Sequence, residues 1–338
     1  MSRAPGPATP RLDTTRQAAA SSALAARLPD FFIVGHGKSG TTALYEMLTQ
    51  HPQLHLPYKE PWFFASELYE RTPPRPEGIP RTLEEYRAIF AGAAQNQIVG
   101  EASPLYLWSC TAAERISEVR PDARIVAIFR EPATFLHSLH LQFVESYIET
   151  EGDFARALAL EDERRSGRRI PRYTYWPQVL LYSEHVRYVE QLRRYHAVFP
   201  PEQVLVLIYD DFRRDNEATV KEVLRFLEVD EHIPLRALEV NPTISVRSQR
   251  LHELVHAISV GRGPLSLAVK GALKALTPEK LRQGPLRRVK ERLVFNAPSP
   301  PDEQVMNEVR RRYAGEVHAL SEYIGRDLVK LWRYDALT

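Results

Sequence analysis

Four short apolar runs recur along the chain: Phe31-Phe32-Ile33-Val34, Gln97–Gly100, Arg124–Phe129 and Gln203–Tyr209. Runs of this length, bounded by turn residues, predict buried strands. Helical periodicity fills the spaces between them. Thr41–Gln50 sets Leu44, Met47 and Leu48 on one face, and His51-Pro52 ends that helix because the residue before a proline avoids the helical region. Ala112–Val119, Tyr182–Tyr195 and Asp302–Leu331 predict further helices. Strands alternating with helices imply an α/β fold, a three-layer arrangement with a central mainly parallel sheet flanked by helices. No internal repeat is visible.

The 338 residues are 43% hydrophobic and 26% charged, a balance that argues against wholesale disorder and is long enough for a sizeable core. The first 28 residues, rich in Ala, Pro, Ser and Thr, read as a flexible leader without the apolar region of a secretory signal, and 29–338 as one domain. An organelle transit peptide is a second reading of the leader, since Asp13 is the only acid before Asp30. Forty-five Lys and Arg against forty-three Asp and Glu leave a net charge of +2. That balance makes no whole-protein case for nucleic acid, so any anion site is local. The single cysteine, Cys110, excludes an internal disulfide framework and a thiolate zinc cluster, and fits a reducing compartment. No window approaches the run of roughly 18 apolar residues that a membrane span requires, and the expected location is cytoplasmic. The segment 261–293 carries nine Lys or Arg and two Glu, and reads as a basic helical stretch. It is either a solvated helix pair, or a surface that steers an anionic acceptor or rests against acidic lipid through 262–292.

The most informative stretch is Phe31–Thr42, FFIVGHGKSGTT. A strand, a glycine turn and a helix start gather backbone N–H groups and the positive end of a helix dipole at one point, which makes a phosphate site. Gly35, Gly37 and Gly40 fit GxGxxG with Glu60 20 residues beyond, so a dinucleotide fingerprint is formally present. The acid of that fingerprint should end a second apolar strand, and Gln53–Lys59 is a poor one. A Walker loop needs lysine after its last glycine; here Lys38 precedes Gly40 and Thr41 follows it. A nucleotide kinase using ATP and magnesium stays open as the alternative, with an oxidoreductase and a non-catalytic nucleotide binder behind it. A plain helix cap is the bland reading of the loop.

Lys38-Ser39-Gly40-Thr41-Thr42 resembles the 5′-phosphosulfate loop of sulfotransferases that use 3′-phosphoadenosine 5′-phosphosulfate (PAPS), where lysine precedes the glycine and hydroxyls follow it. The resemblance implies that Ser39, Thr41, Thr42 and the loop amides grip the 5′-phosphate while Lys38 meets the leaving oxygen. PAPS would then be the co-substrate, with no metal needed. The family carries a second motif for the 3′-phosphate, and Arg130-Glu131-Pro132 at the end of the Arg124–Phe129 run resembles it, with Ser138 eight residues after Arg130. Arg130 would supply a forked grip and Ser138 a hydroxyl. The family often has a further arginine where this chain has Phe135.

Weaker correspondences extend to Trp332. Tyr182 sits where the family places a tyrosine against the adenine, though an amphipathic helix would bury a tyrosine there anyway. Arg247 lies where a basic loop closes over the 3′-phosphate, without that loop's usual glycines. Ser103, in Gly100–Tyr106, falls in a strand-end segment that lines the family's active site, and Ala102 stands where some members carry lysine.

Lys59-Glu60-Pro61-Trp62-Phe63-Phe64 resembles the K-E-x-x-F-F segment of carbohydrate-type members, which nominates Glu60 as catalytic base beside Lys38. A surface Lys-Glu pair before an aromatic core is the plain reading of the same residues. Another branch uses histidine, and His36, His51, His55, His137 and His140 are the candidates by position. The expected reaction moves the sulfuryl group to a carbohydrate or small-metabolite hydroxyl and releases adenosine 3′,5′-bisphosphate.

Overall fold

The computed structural model describes residues 27–68, 78–172, 174, 176–236 and 301–337, with the backbone of 245–246 and 295–296. Arg247 and the basic stretch 261–293 therefore lie outside the described residues. Of the expected leader, Arg27 and Leu28 are described: Arg27 pairs with Asp30 at 3.0 Å and Leu28 packs against the core.

β1 (Phe31–Gly35) leads into α1 (Thr41–Leu48), then β2 (Leu54–His55), α2 (Leu83–Ala88), β3 (Ile98–Ala102) and α3 (Ala112–Val119). β4 (Arg124–Phe129) feeds α4 (Pro132–Glu145), α5 (Phe154–Ala159), α6 (Glu161–Arg165), α7 (Tyr182–His185) and α8 (Tyr188–His196). β5 (Val204–Ile208) is followed by α9 (Tyr209–Arg214) and α10 (Asn216–Phe226). An antiparallel ribbon, β6 (Ser245–Val246) with β7 (Phe295–Asn296), precedes α11 (Glu303–Tyr323) and α12 (Leu328–Leu331).

β2-β3-β1-β4-β5 form one sheet in that order, with every pair parallel. The strands are buried on both faces, so their sequences are continuous apolar runs rather than alternating ones. Side chains alternate across the sheet: Phe32, Val34 and Ile125 meet α3, α4, α8 and α11 on one side, while Phe31, Ile33 and Val126 meet α1 and α10 on the other. The expected three-layer α/β architecture is the one observed. Among the described residues, no helix is long and apolar enough to cross a membrane.

Two predicted helices are interrupted, each for a local reason. Tyr182–Tyr195 breaks at Val186-Arg187, where the Gln191 amide takes the carbonyls of Glu184 and His185 at 2.9 and 3.2 Å. The last helix stops before Gly325, whose φ of 66° no ordinary residue adopts cheaply, and Asp327 caps the next turn by accepting from the Lys330 N–H.

The chain leaves β1 toward one edge of the sheet and leaves β4 toward the other. Connections that diverge between adjacent strands open a crevice at their carboxyl ends, which is where ligands bind in open α/β sheets.

Candidate functional site

That crevice is a cleft of about 420 Å³. Its floor is the loop after β1. Gly35 fits because an added Cβ would stand 2.6 Å from the Leu107 Cβ, and Gly40 because its φ of 86° is left-handed and a Cβ there would strike Phe212 at 2.9 Å. Gly40 caps α1 without a side-chain bond, which leaves the first-turn N–H groups of that helix open toward the cleft. Thr41, Thr42 and Lys38 line the same space. Ser39 lies fully buried behind them, and its Oγ has no partner among the described residues.

Arg130 reaches the loop from the end of β4. Its Nη1 donates to the Lys38 carbonyl at 2.8 Å, Nε donates to Thr134 Oγ1 at 3.3 Å, and the guanidinium lies 4.8 Å over the Tyr209 ring. Glu131 beside it caps α4, accepting from the N–H groups of Ala133 and Thr134 at 3.0 and 2.8 Å. Nearly two helical turns into α4, Ser138 lines the cleft with a buried Oγ that has no partner among the described residues. Burial lowers the pKa of Lys38, Arg130 lowers it further, and Glu145 opposes both. Two cations, the unpartnered Ser138 hydroxyl and an uncapped helix start therefore face one space, a donor set that fits the two separate phosphate groups of a nucleotide such as PAPS, whereas Ser39, expected in the same set, is turned into the protein and does not line the cleft.

The opposite wall is the segment 59–64. Lys59 bridges to Ala102 of β3, and the Glu60 N–H donates to the Ala102 carbonyl at 2.9 Å. The Trp62 N–H donates to Ser103 Oγ at 3.2 Å, and the Phe64 N–H to the Tyr106 hydroxyl at 3.2 Å. Below lies Glu101, fully buried, accepting from Tyr86 at 2.5 Å and Tyr106 at 3.2 Å. Burial raises the Glu101 pKa to about 7, against the hydroxyls of Ser103, Tyr86 and Tyr106. The carboxylate of Glu60 pairs with Lys59, and both line the cleft. Lys38, Glu60 and Trp62 have φ of 61°, 65° and 51°, three of the seven left-handed residues other than glycine among the described residues. Such strain concentrates where a site over-determines the backbone.

Lys38, Gly40, Thr41, Thr42, Glu60, Arg130 and Ser138 thus meet around one cleft. Tyr182, expected against an adenine, does not line it: the ring is fully buried, with its hydroxyl 3.1 Å from His140 Nδ1 and 3.3 Å from Glu149. That hydroxyl completes the surroundings of the buried Arg164–Glu149 ion pair, a job for a core residue. Among the candidate histidines, His36 lines the cleft, but its Nε2 is held 2.6 Å from Gln191 Oε1 and burial drives its pKa to about 3. The pKa values of His137 and His140 fall to about 4, also through burial. Sequence reasoning passed over Tyr209, beneath Arg130, and Glu145, which acts on Lys38 from the same α4 face that carries Ser138. The spacing of 138, 142 and 145 was the available signal for Glu145.

The sulfotransferase family model matches residues 29–232, more than half of the chain. The chain belongs to that family. It is 34% identical over 108 residues, 32% of its length, to heparan sulfate glucosamine 3-O-sulfotransferase 6 of Homo sapiens, of which it covers 28%. It is 28% identical over 219 residues, 64% of its length, to heparan sulfate glucosamine 3-O-sulfotransferase 3A1 of Mus musculus, covering 50% of that protein. The chain thus spans half or less of the length of these two relatives. The crystal structure of a sulfotransferase from Alicyclobacillus acidocaldarius superposes with a TM-score of 0.64 at 25% identity, over 91% of this chain and 99% of that one.

Proposed function

We propose that the protein moves the sulfuryl group from PAPS to an acceptor hydroxyl, on a carbohydrate or a small metabolite, and releases adenosine 3′,5′-bisphosphate. In this reading the α1 amides, Thr41 and Thr42 hold the 5′-phosphate, and Arg130 with Ser138 holds the 3′-phosphate. Lys38 meets the charge that develops on the departing phosphate oxygen, and Glu60 takes the acceptor's proton as the new sulfur–oxygen bond forms. PAPS supplies the activated sulfuryl group; the chain binds it, orients it and moves the proton. The observation that carries the reading is the bond from Arg130 to the Lys38 carbonyl, which ties two separate phosphate grips into one site. The relatives named above are heparan sulfate glucosamine 3-O-sulfotransferases, whose names specify a sugar hydroxyl as acceptor.

Calorimetric titration with adenosine 3′,5′-bisphosphate, beside ATP with magnesium and beside NAD, tests the cofactor. Selective binding of the bisphosphate is the expected result. Binding of ATP or NAD without the bisphosphate would end this reading.

A further inference from the structure

Away from its phosphate end, the cleft changes character. Trp62 and Trp176 meet edge to face at 5.5 Å, Trp108 stacks on His185 at 4.8 Å, and Phe143 lies 6.1 Å from the same imidazole. All five line the cleft, with Leu105, Leu139, Ile148 and Val179 between them. His185 adds no charge, because burial brings its pKa down to about 4 and its Nε2 donates to the Val179 carbonyl at 2.8 Å. The cations that line the cleft, among the described residues, are Lys38, Lys59 and Arg130. Lys38 and Arg130 face the phosphates of the proposed co-substrate, and Lys59 is neutralised by Glu60. Among the described residues, the uncharged polar groups at this end are the exposed Gln142 and Ser146 and the indole N–H groups of Trp62, Trp108 and Trp176, single donors on apolar rings.

A polyanionic saccharide needs forked or paired cations for its sulfates and carboxylates, and a neutral sugar needs several hydroxyl partners. Among the described residues, neither set is present along this wall. Rings and branched side chains instead reward burial of apolar surface. We infer that the acceptor is a small uncharged molecule whose hydroxyl is carried on an aromatic or aliphatic body, seated between Trp62, Trp176 and Phe143 with the hydroxyl toward Glu60. This rests on the sulfotransferase reading and narrows it, and it separates this chain from the heparan sulfate acceptors in its relatives' names.

The test uses the full chain with PAPS, following bisphosphate release with 2-naphthol, 1-octanol or heparan sulfate as acceptor. Naphthol or octanol should be sulfated and heparan sulfate should not. Trp176→Ala should raise KM for the apolar acceptor by about tenfold or more, while Trp176→Phe restores most of it. Bisphosphate affinity, measured by calorimetry, should stay unchanged in both variants, which shows that they are folded. Turnover of heparan sulfate in preference, or no turnover of either apolar acceptor by protein that binds the bisphosphate, would overturn the inference alone. Failure to bind the bisphosphate would overturn the sulfotransferase reading beneath it.

Discussion

The Arg130 guanidinium donates to the main-chain carbonyl of Lys38 at 2.8 Å, so the residue that follows β4 holds the loop that follows β1. In the proposed function this contact joins the two phosphate grips. Arg130→Ala should weaken adenosine 3′,5′-bisphosphate binding by about 10- to 100-fold, the loss expected for charge-assisted hydrogen bonds. Arg130→Lys should recover only part of it, since a point charge cannot grip phosphate and carbonyl together. Equal affinity in all three proteins would remove Arg130 from the site.

The role proposed for Lys38 requires its charge, and burial lowers its pKa below the ordinary 10.5. Activity should therefore fall as pH rises through that lowered value. Glu145 pulls in the opposite direction, favouring the charged form. Glu145→Gln should shift the alkaline limb of the kcat profile to lower pH and leave the acidic limb in place. An unmoved alkaline limb would show that Glu145 does not act on Lys38. Lys38→Ala should lower kcat by about 10²- to 10³-fold, as loss of one donor to a developing oxyanion does elsewhere.

Glu60→Gln keeps the shape of the strap but removes the proton acceptor. The kcat should drop by about 10²- to 10⁴-fold while bisphosphate affinity holds. A variant with near-normal turnover would move the base to another residue. His36 is ill suited to the role, with a pKa near 3 and its Nε2 committed to Gln191.

Glu101 is a buried carboxyl with its pKa raised to about 7 from 4.5. The folded protein keeps this proton where the unfolded chain has lost it. Stability should accordingly decline as pH rises from about 4.5 to 7, and the penalty is fully present above that window. Glu101→Gln keeps an oxygen acceptor for Tyr86 and Tyr106 without the charge. Its melting temperature should gain on the parent's between pH 5 and pH 8. Parallel melting curves across that range would refute the assignment.

Tyr182→Phe should destabilise the fold by about 1–3 kcal/mol, because Glu149 and His140 lose a buried partner. Nucleotide affinity should not change. The opposite pattern, lost affinity with stability intact, would return Tyr182 to the adenine.

Much of the scaffold was legible in the chain because buried parallel strands leave continuous apolar runs, as Arg124–Phe129 did. β2 was not, since two residues at a sheet edge carry too little pattern. The breaks at Val186 and Ile324 were also hidden: a side-chain amide competing for carbonyls and a left-handed glycine act on backbone geometry, not on periodicity.

For the site, local order sufficed to mark Lys38, Thr41, Thr42 and Arg130, because phosphate grips are built from contiguous loops at strand ends. It could not tell that Tyr182 faces the core, since a helix with tyrosine on its apolar stripe reads the same whether that stripe meets a ligand or another helix. The sequence by itself determined the α/β class and the two loops proposed to bind anions, both of which follow from short-range patterns. Only the tertiary structure decided that Arg130 holds the Lys38 carbonyl, that Glu145 faces Lys38, and that Trp62 and Trp176 meet across the cleft. Those pairs lie on separate elements, and the packing of helices on the sheet is what brings them together.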